Sequence, residues 1–413
     1  MAAVRPFRAL RPEPGAAAAV AAVPYDVVST EDARVLAADA PLSFLHVTRA
    51  EIDLAADTDP YDPVVYETAR ENLASLRGAA PLVVEAEPAL YVYRLVDGDH
   101  VQTGLAGCYS LDEYDSGAIK KHERTRPAKE DDRTRHMVTI GAQTGVVFLT
   151  YRGTPVIDAA VETVSGQAPL FDFEAPDEVR HTVWRATPEE TAQLVDRFAA
   201  VPALYIADGH HRAASAGRAR RAPRHGGDGV AGPSERDVFL AVAFPDRQTR
   251  ILPYNRALAN LAGATPDQFL ASVAARCPVE PTSQTTPPKG ALAMYVDGQW
   301  FRVGLADSEP GAGSGTIDPV AALDVSVLQE RLLGPVLEVA DIRTDPRVRF
   351  VGGERGTAEL VRLVDAGEAA VAFSLAPVTV SELLSIADAG AIMPPKSTWF
   401  EPKLRDGLLT HLI

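Results

Sequence analysis

Short apolar runs alternate with amphipathic stretches along this chain, the pattern of an α/β (α+β) protein whose strands and helices pack in layers. In the first 115 residues, apolar runs at 42–47, 89–95 and 105–111 bracket an amphipathic stretch at 61–76. Pro24-Tyr25-Asp26 and His46-Val47-Thr48-Arg49 read as polar punctuation at strand ends, facing a cleft. Residues 128–140 predict a helix with acids in its first turn, where the dipole favours them, and Gly141 as its stop. The run 145–151 is a buried strand, 165–183 reads as loops and strands, and 188–200 is an amphipathic helix leading into a strand that ends near Ala207. Residues 213–221, rich in Ala and Arg without Pro, read as the first turns of the next helix, so Gly209 falls at the strand-to-helix joint. A Gly- and Pro-containing loop at 223–234 precedes a strand at 238–244. Beyond it come a hairpin at 291–305 closed by Asp297-Gly298, a Gly/Ser linker at 311–316, a helix at 357–366, a strand at 369–375 and a helix at 380–389. Prolines exclude a helix from the tail at 393–403.

Composition narrows the class. With 413 residues the chain has room for two or three domains, each with its own core. Hydrophobic residues at 46% and charged residues at 23% are ordinary globular values. No apolar run approaches the ~20 residues of a membrane span. The Ala-rich run 16–23 is hemmed in by Pro12, Glu13 and Pro14 before it and Pro24 after it, unlike a signal peptide. Cys108 and Cys277 form neither a CxxC pair nor a disulfide framework, which fits a reducing cytoplasm. A formal charge of −16 argues against a general nucleic-acid coat and leaves room for a local basic pocket. Lysine is scarce. Of 40 Lys plus Arg residues, the lysines are Lys120, Lys121, Lys129, Lys289, Lys396 and Lys403, and five of them cluster in two short segments where an ammonium rather than a guanidinium is wanted.

Those segments also carry the candidate chemistry. Tyr205-Ile206-Ala207-Asp208-Gly209-His210-His211-Arg212 concentrates an acid, a glycine and three cationic or proton-carrying side chains at one joint. Backbone N–H groups and the positive dipole end at a helix start attract anions, glycine lets a phosphate approach the main chain, and Arg212 adds a fork of donors. The plain alternative is a solvated turn. Glu123 stands beside His122 in a Pro-bounded loop, and Lys396-Ser397-Thr398 sets an ammonium and two hydroxyls on a strap stiffened by Pro394 and Pro395. His122-Glu123 is not a zinc-protease motif, because position 126 is Arg where a second His is needed. Walker A and Gly-x-Ser-x-Gly motifs are also missing. Phosphoryl transfer uses the parts that remain: donors for phosphates, a divalent metal held by a carboxylate, and a base near the attacking hydroxyl.

In this order, His122-Glu123 with the helix and strand that follow, the Ile206 to Arg212 turn, and Pro395-Lys396-Ser397-Thr398 resemble segments of the free serine kinases built on the ParB/sulfiredoxin-type fold. The likeness covers roughly residues 115–405, with large insertions, and the chain throughout resembles the bacterial family DUF1015. The resemblance implies a ParB/sulfiredoxin-like nucleotide-binding core at 116–260, between an N-terminal α/β domain at 1–115 and a C-terminal α/β domain at 261–413 that carries the strap. It implies a catalytic pair, His122 and Glu123, in which Glu123 takes the proton of the serine hydroxyl. Asp208, Gly209, His210, His211 and Arg212 would hold the nucleotide phosphates, with Asp208 also a ligand of Mg²⁺, and Lys396, Ser397 and Thr398 would touch the amino acid or its phosphate. The expected activity is that of a cytoplasmic kinase using ATP or ADP with Mg²⁺ to phosphorylate a small hydroxyl metabolite, L-serine leading, with no nucleic-acid or membrane partner. A non-catalytic nucleotide-binding switch and a metal-dependent phosphohydrolase using His122, Asp208 and His210 stay open as alternatives. Two departures stand out: the first ~115 residues have no counterpart in those kinases, and Trp399-Phe400 replaces a more polar continuation of the strap.

Overall fold

The computed structural model describes residues 2–79, 82–223, 234–305 and 318–413. Most of the loop expected at 223–234 and all of the linker expected at 311–316 lie outside the described residues. The chain divides into two compact units, Met1–Thr249 with Pro402–Ile413, and Arg250–Glu401. No helix among the described residues is long and apolar enough to cross a membrane.

The first unit is built on a nine-stranded mixed sheet. Its strands are β1 (Val4–Arg5), β2 (Tyr91–Asp97), β3 (His100–Ser110), β4 (Ile119–Lys120), β5 (Val147–Tyr151), β6 (Phe171–Glu174), β7 (Arg180–Arg185), β8 (Leu204–Asp208) and β9 (Val238–Pro245). They lie in the order β4-β8-β5-β9-β3-β2-β7-β6, with β1 added to β3. The pairs β4–β8 and β5–β9 are parallel and the others antiparallel. The sheet thus takes strands from both sides of residue 115. The helices of eight residues or more are α1 (Thr30–Ala37), α2 (Pro63–Ala79), α3 (Pro127–Ile140), α4 (Pro155–Ser165), α5 (Pro188–Phe198) and α6 (His210–Arg221). Val164, Leu194, Phe198 and Ala216 from α4, α5 and α6 join Leu149, Ile206 and Ala243 of the sheet in one core. A second core joins Val65, Ala69 and Leu73 of α2 to Leu45, Val47 and Ile140.

Two local expectations need correction, and one helix lies in a stretch to which no element was assigned. His46-Val47-Thr48 closes no strand: Leu45–Thr48 is a helical turn, in which the Thr48 hydroxyl donates to the Phe44 carbonyl and Val47 is buried in the helical core. A short apolar run cannot by itself separate strand from buried helix. Residues 155–165 form α4, whose Thr154 cap and Pro at the first turn are a start signal that the reading of this stretch passed over. Helix α6 starts at His210, three residues before the expected 213, because its first turn carries the buried His210 and Arg212.

The second unit is a six-stranded antiparallel sheet made of β11 (Tyr254–Leu258), β12 (Val279–Pro281), β13 (Ala291–Val296), β14 (Gln299–Gly304), β15 (Val348–Gly352) and β16 (Val371–Leu375), in the order β12-β14-β13-β16-β11-β15. A separate two-stranded ribbon pairs β10 (Arg250–Leu252) with β17 (Trp399–Glu401). Helices α7 (Pro266–Ala274), α8 (Gly356–Asp365) and α9 (Val380–Asp388) complete the layer. The hairpin expected around Asp297-Gly298 is β13–β14, and both turn residues have positive φ, +50° and +78°, as a tight two-residue hairpin turn requires.

Candidate functional site

The candidate site of the first unit begins where β8 meets α6. The pairing of β8 with β5 slips between Ile206 and Asp208, and this irregularity re-aims Asp208 at the strand end. Gly209 follows with φ +94°, and a Cβ there would come within 3.4 Å of both the Arg212 guanidinium and the Val147 Cα. Only glycine suits that position. The first amides of α6 have no intrahelical partners and carry the positive end of its dipole.

The loop at 122–126 is stitched to this helix start through two imidazoles. The His122 N–H donates to His210 Nε2 at 3.5 Å, and the Arg126 N–H donates to His211 Nε2 at 3.0 Å. The His122 and His210 rings meet edge-on, with centroids 4.5 Å apart. His210 Nδ1 lies 3.7 Å from Glu123 Oε2. Because Nε2 accepts, the ring proton of His210 sits on Nδ1, toward the Glu123 carboxylate. Burial keeps His210 well below its ordinary pKa, with His122 adding to the effect, and burial takes His122 down to about 4. At neutral pH His210 is therefore an uncharged, proton-carrying donor, and of the three side chains named at this joint it is not one of the cations. His122 Nδ1 is buried with no hydrogen-bond partner among the described residues.

Around Asp208 the charges interlock. Lys403 Nζ is 3.2 Å from its Oδ2 and Arg212 NH2 is 3.9 Å away. Burial opposes the Asp208 charge, but Lys403 and Arg212 outweigh it and hold the carboxyl well below the usual carboxylate range. The Arg212 fork is largely engaged within the protein: NH2 donates to Asp26 Oδ1 and Oδ2 at 3.2 and 3.1 Å, and NH1 to the Val146 carbonyl. Burial weighs against its charge, yet Asp26 and Asp208 raise its pKa above the ordinary. Asp406 completes the group. It is 1% exposed, and burial pushes its carboxyl up to about 7 despite the nearby Arg212. Sequence reasoning assigned no role to Asp26, Lys403 or Asp406. Lys403 carried a signal, the scarcity of lysine, and Asp26 had been read as facing a cleft, whereas nothing local marked Asp406.

Lys396, Ser397 and Thr398 belong to the second unit. Lys396 is exposed and in the left-handed region, φ +57°, with its ammonium 5.4 Å from the centre of the Tyr254 ring. The Ser397 hydroxyl is buried and donates to the Pro394 carbonyl at 2.6 Å. Arg256 donates to the carbonyls of Pro395 and Lys396 at 3.3 and 2.9 Å, so a buried guanidinium pins the strap. Among the described residues no group of three or more His, Cys, Asp or Glu side chains is placed to hold a metal ion. Asp208, the residue expected to be a Mg²⁺ ligand, has its carboxylate facing the Lys403 and Arg212 cations.

Fold and site together define a mixed α/β protein with a glycine-hinged, anion-attracting helix start beside a carboxylate-bearing loop. The family model for a protein of unknown function, DUF1015, matches residues 4–326, and the chain belongs to that family. No curated protein matches it. Among solved structures, it is similar to a conserved hypothetical protein from Pyrococcus furiosus at 14% identity, covering 74% of this chain and 94% of that one, with a TM-score of 0.36. Free serine kinase in complex with AMP is similar at 12% identity, with coverage of 74% and 91% and a TM-score of 0.36. SbnI with a C-terminal truncation from Staphylococcus aureus is similar at 11% identity, with coverage of 74% and 87% and a TM-score of 0.39.

Proposed function

We propose that this protein is a cytoplasmic nucleotide-dependent kinase that phosphorylates the hydroxyl of a small metabolite, free L-serine being the leading substrate and O-phosphoserine the product. The observation that supports this best is the placement of Glu123, through His210, against the start of α6. A base and an anion-attracting helix end then share one small region. In this reading β4, α3, β5, β8 and α6 form a ParB/sulfiredoxin-like nucleotide core. The first amides of α6 and the Lys403 ammonium take phosphate oxygens, and Arg212 fixes Asp208 and Asp26 in place. Asp208 would hold Mg²⁺, which when bound neutralises charge on the phosphates. Glu123 accepts the hydroxyl proton while the substrate oxygen attacks the terminal phosphorus. A P–O bond forms, the P–O bond to the nucleotide breaks, and its electron pair leaves with ADP from ATP, or with AMP from ADP. The neutral His210 orients Glu123 by offering Nδ1–H. We assign acceptor recognition to Lys396, Ser397 and Thr398.

The test is a single-turnover reaction with L-serine, Mg²⁺ and ATP or ADP, read as O-phosphoserine by phosphorus NMR. Wild type should form it, and Glu123→Gln should keep nucleotide binding but react about 10² to 10⁴ times more slowly, the range for general-base catalysis. A change below about threefold would remove Glu123 from the role. No product with either nucleotide would overturn the kinase reading, and saturable nucleotide binding without turnover would favour the switch.

A further inference from the structure

The segment 402–413 crosses the first unit as a belt, although the residues just before it, 250–401, make up the second. Nine of its twelve residues are buried, so it is seated along most of its length, and Lys403 is one of the three that are not. Two residues after Lys403, Arg405 is 5% exposed and grips β2 and β7. Its Nε donates to His181 Nε2 at 3.3 Å, its NH2 to the Asp177 carboxylate, and its backbone N–H to the Tyr93 hydroxyl at 3.4 Å. His181 is fully buried, with its ring stacked on Phe173, and burial takes it down to about 3, with Arg405 adding to the effect. It is therefore neutral. Because its Nε2 accepts from Arg405, its Nδ1 carries the proton and donates to the Tyr93 hydroxyl oxygen at 2.8 Å. Further along, Ala22 and Asp406 exchange two backbone hydrogen bonds, and Gly407, at φ +87°, lies so close to Phe44 that a Cβ would come within 2.7 Å of its ring.

These contacts do more than attach the belt. Its buried leucines, Leu404, Leu408 and Leu409, would hold it to the unit by apolar burial, which is non-directional. A fork of donors matched to one imidazole and one carboxylate is satisfied in a single register. Slipping the belt by one residue would carry Lys403 roughly 3.4 Å along the chain, enough to break its 3.2 Å contact with Asp208 Oδ2. Setting register is a use of buried charged groups that does not depend on their adding stability. We propose that Arg405 is a positioning residue that sets the register of the belt and so holds the Lys403 ammonium at the phosphate-binding end of β8. This rests on the reading of the β8–α6 turn as a phosphate site, but the placement of Lys403 is measured without a nucleotide.

Trace acetylation of the full chain without nucleotide, read lysine by lysine by mass spectrometry, reports that placement, with the exposed Lys396 as internal standard. In wild type Lys403 should react more slowly than Lys396, and in Arg405→Met its rate should rise severalfold toward that of Lys396. Isothermal titration with ADP and ATP then reads the consequence for the site. Lys403→Met should weaken binding of the nucleotide about tenfold or more, the range for a hydrogen bond to a charged group. Arg405→Met should weaken it by a comparable factor, and the double variant should bind no more weakly than Lys403→Met alone, because Arg405 acts through Lys403. Circular dichroism of each variant must match wild type. Should Arg405→Met not fold, Arg405→Lys, which keeps the charge but not the fork, is read in the same way. An unchanged acetylation rate of Lys403 overturns the proposal, as does unchanged nucleotide affinity in Arg405→Met or a double variant weakened by the product of the two single losses. If wild type binds neither nucleotide, the phosphate reading fails, while the acetylation rate still decides whether Arg405 places Lys403.

Discussion

Two buried arginines, Arg212 in the first unit and Arg256 in the second, show how differently one side chain can be used. Arg212 is 7% exposed and faces the carboxylates of Asp26 and Asp208, which keep its pKa above the ordinary. Arg256 is fully buried and meets carbonyls and aromatic rings, and burial brings its pKa down to about 9. The first is one member of a closed charge network, whose removal leaves acids without a counter-charge. The second is open in another sense: among the described residues it meets no carboxylate and holds a strap, while the Nε of each arginine is buried there without a hydrogen-bond partner. The guanidinium that sequence reasoning offered to a phosphate is thus paired with carboxylates, while the arginine that meets none among the described residues was never singled out.

Replacing both by methionine breaks the comparison most directly. Arg212→Met should destabilise the first unit by about 3 to 5 kcal/mol, because breaking a buried pair from one side strands the other charge. Arg256→Met should destabilise the second unit by less than about half as much, since a buried charge without a partner is the kind that an apolar residue can replace. Native-state hydrogen exchange at β8 and β11 reads the two units separately. Equal losses would erase the distinction between a closed network and an open one.

The same contrast explains what was legible in the sequence. Features set by local backbone chemistry were read correctly: Gly209 at the joint, the Gly141 stop of α3 with its positive φ, and the Asp297-Gly298 hairpin. The turn at Leu45–Thr48 was misread because its conformation is settled by packing against α2, which lies further along the chain. Asp26 and Asp406 approach Arg212 across a chain separation of roughly two hundred residues, and no spacing rule links such positions. Glu123 and His210 were named separately, but their contact, and the neutrality that burial imposes on His210, belong to the tertiary structure.

Within the closed network, Asp406 is the strained member, and pH exposes it. Its carboxyl is pushed up to about 7 by burial, so the folded chain binds that proton more tightly than the unfolded chain. Stability from this group is full below pH ~4, falls as pH rises, and is lost above pH ~7. Buried histidines act the other way. His122 and His136, at about 4, support the fold above pH ~6.5 and withdraw that support as pH falls toward 4. Asp406→Asn separates the two effects. Its stability relative to wild type should rise between pH 4 and 7 and then level off, reaching roughly 2 to 4 kcal/mol at about 1.4 kcal/mol per pKa unit. Urea titrations across that range decide it, and a pH-independent difference would mean that Asp406 does not titrate there.

The smallest effect concerns the backbone, where the two units again differ. Gly209 fills a left-handed position with the residue suited to it, whereas the strap places Lys396 at φ +57°. A non-glycine residue in that region is strained by about 1 to 2 kcal/mol, partly offset by the extra freedom glycine has when unfolded. Comparing Lys396→Gly with Lys396→Ala cancels the loss of the ammonium and reports the strain alone. Glycine should be the more stable of the two by about 1 kcal/mol. The acceptor KM should rise in both variants if the ammonium contributes to recognition, and that rise should not follow stability. If glycine gains nothing over alanine, the strap is unstrained and its conformation owes nothing to Arg256. If KM returns to the wild-type value in Lys396→Gly alone, the backbone of the strap, not its ammonium, governs the acceptor.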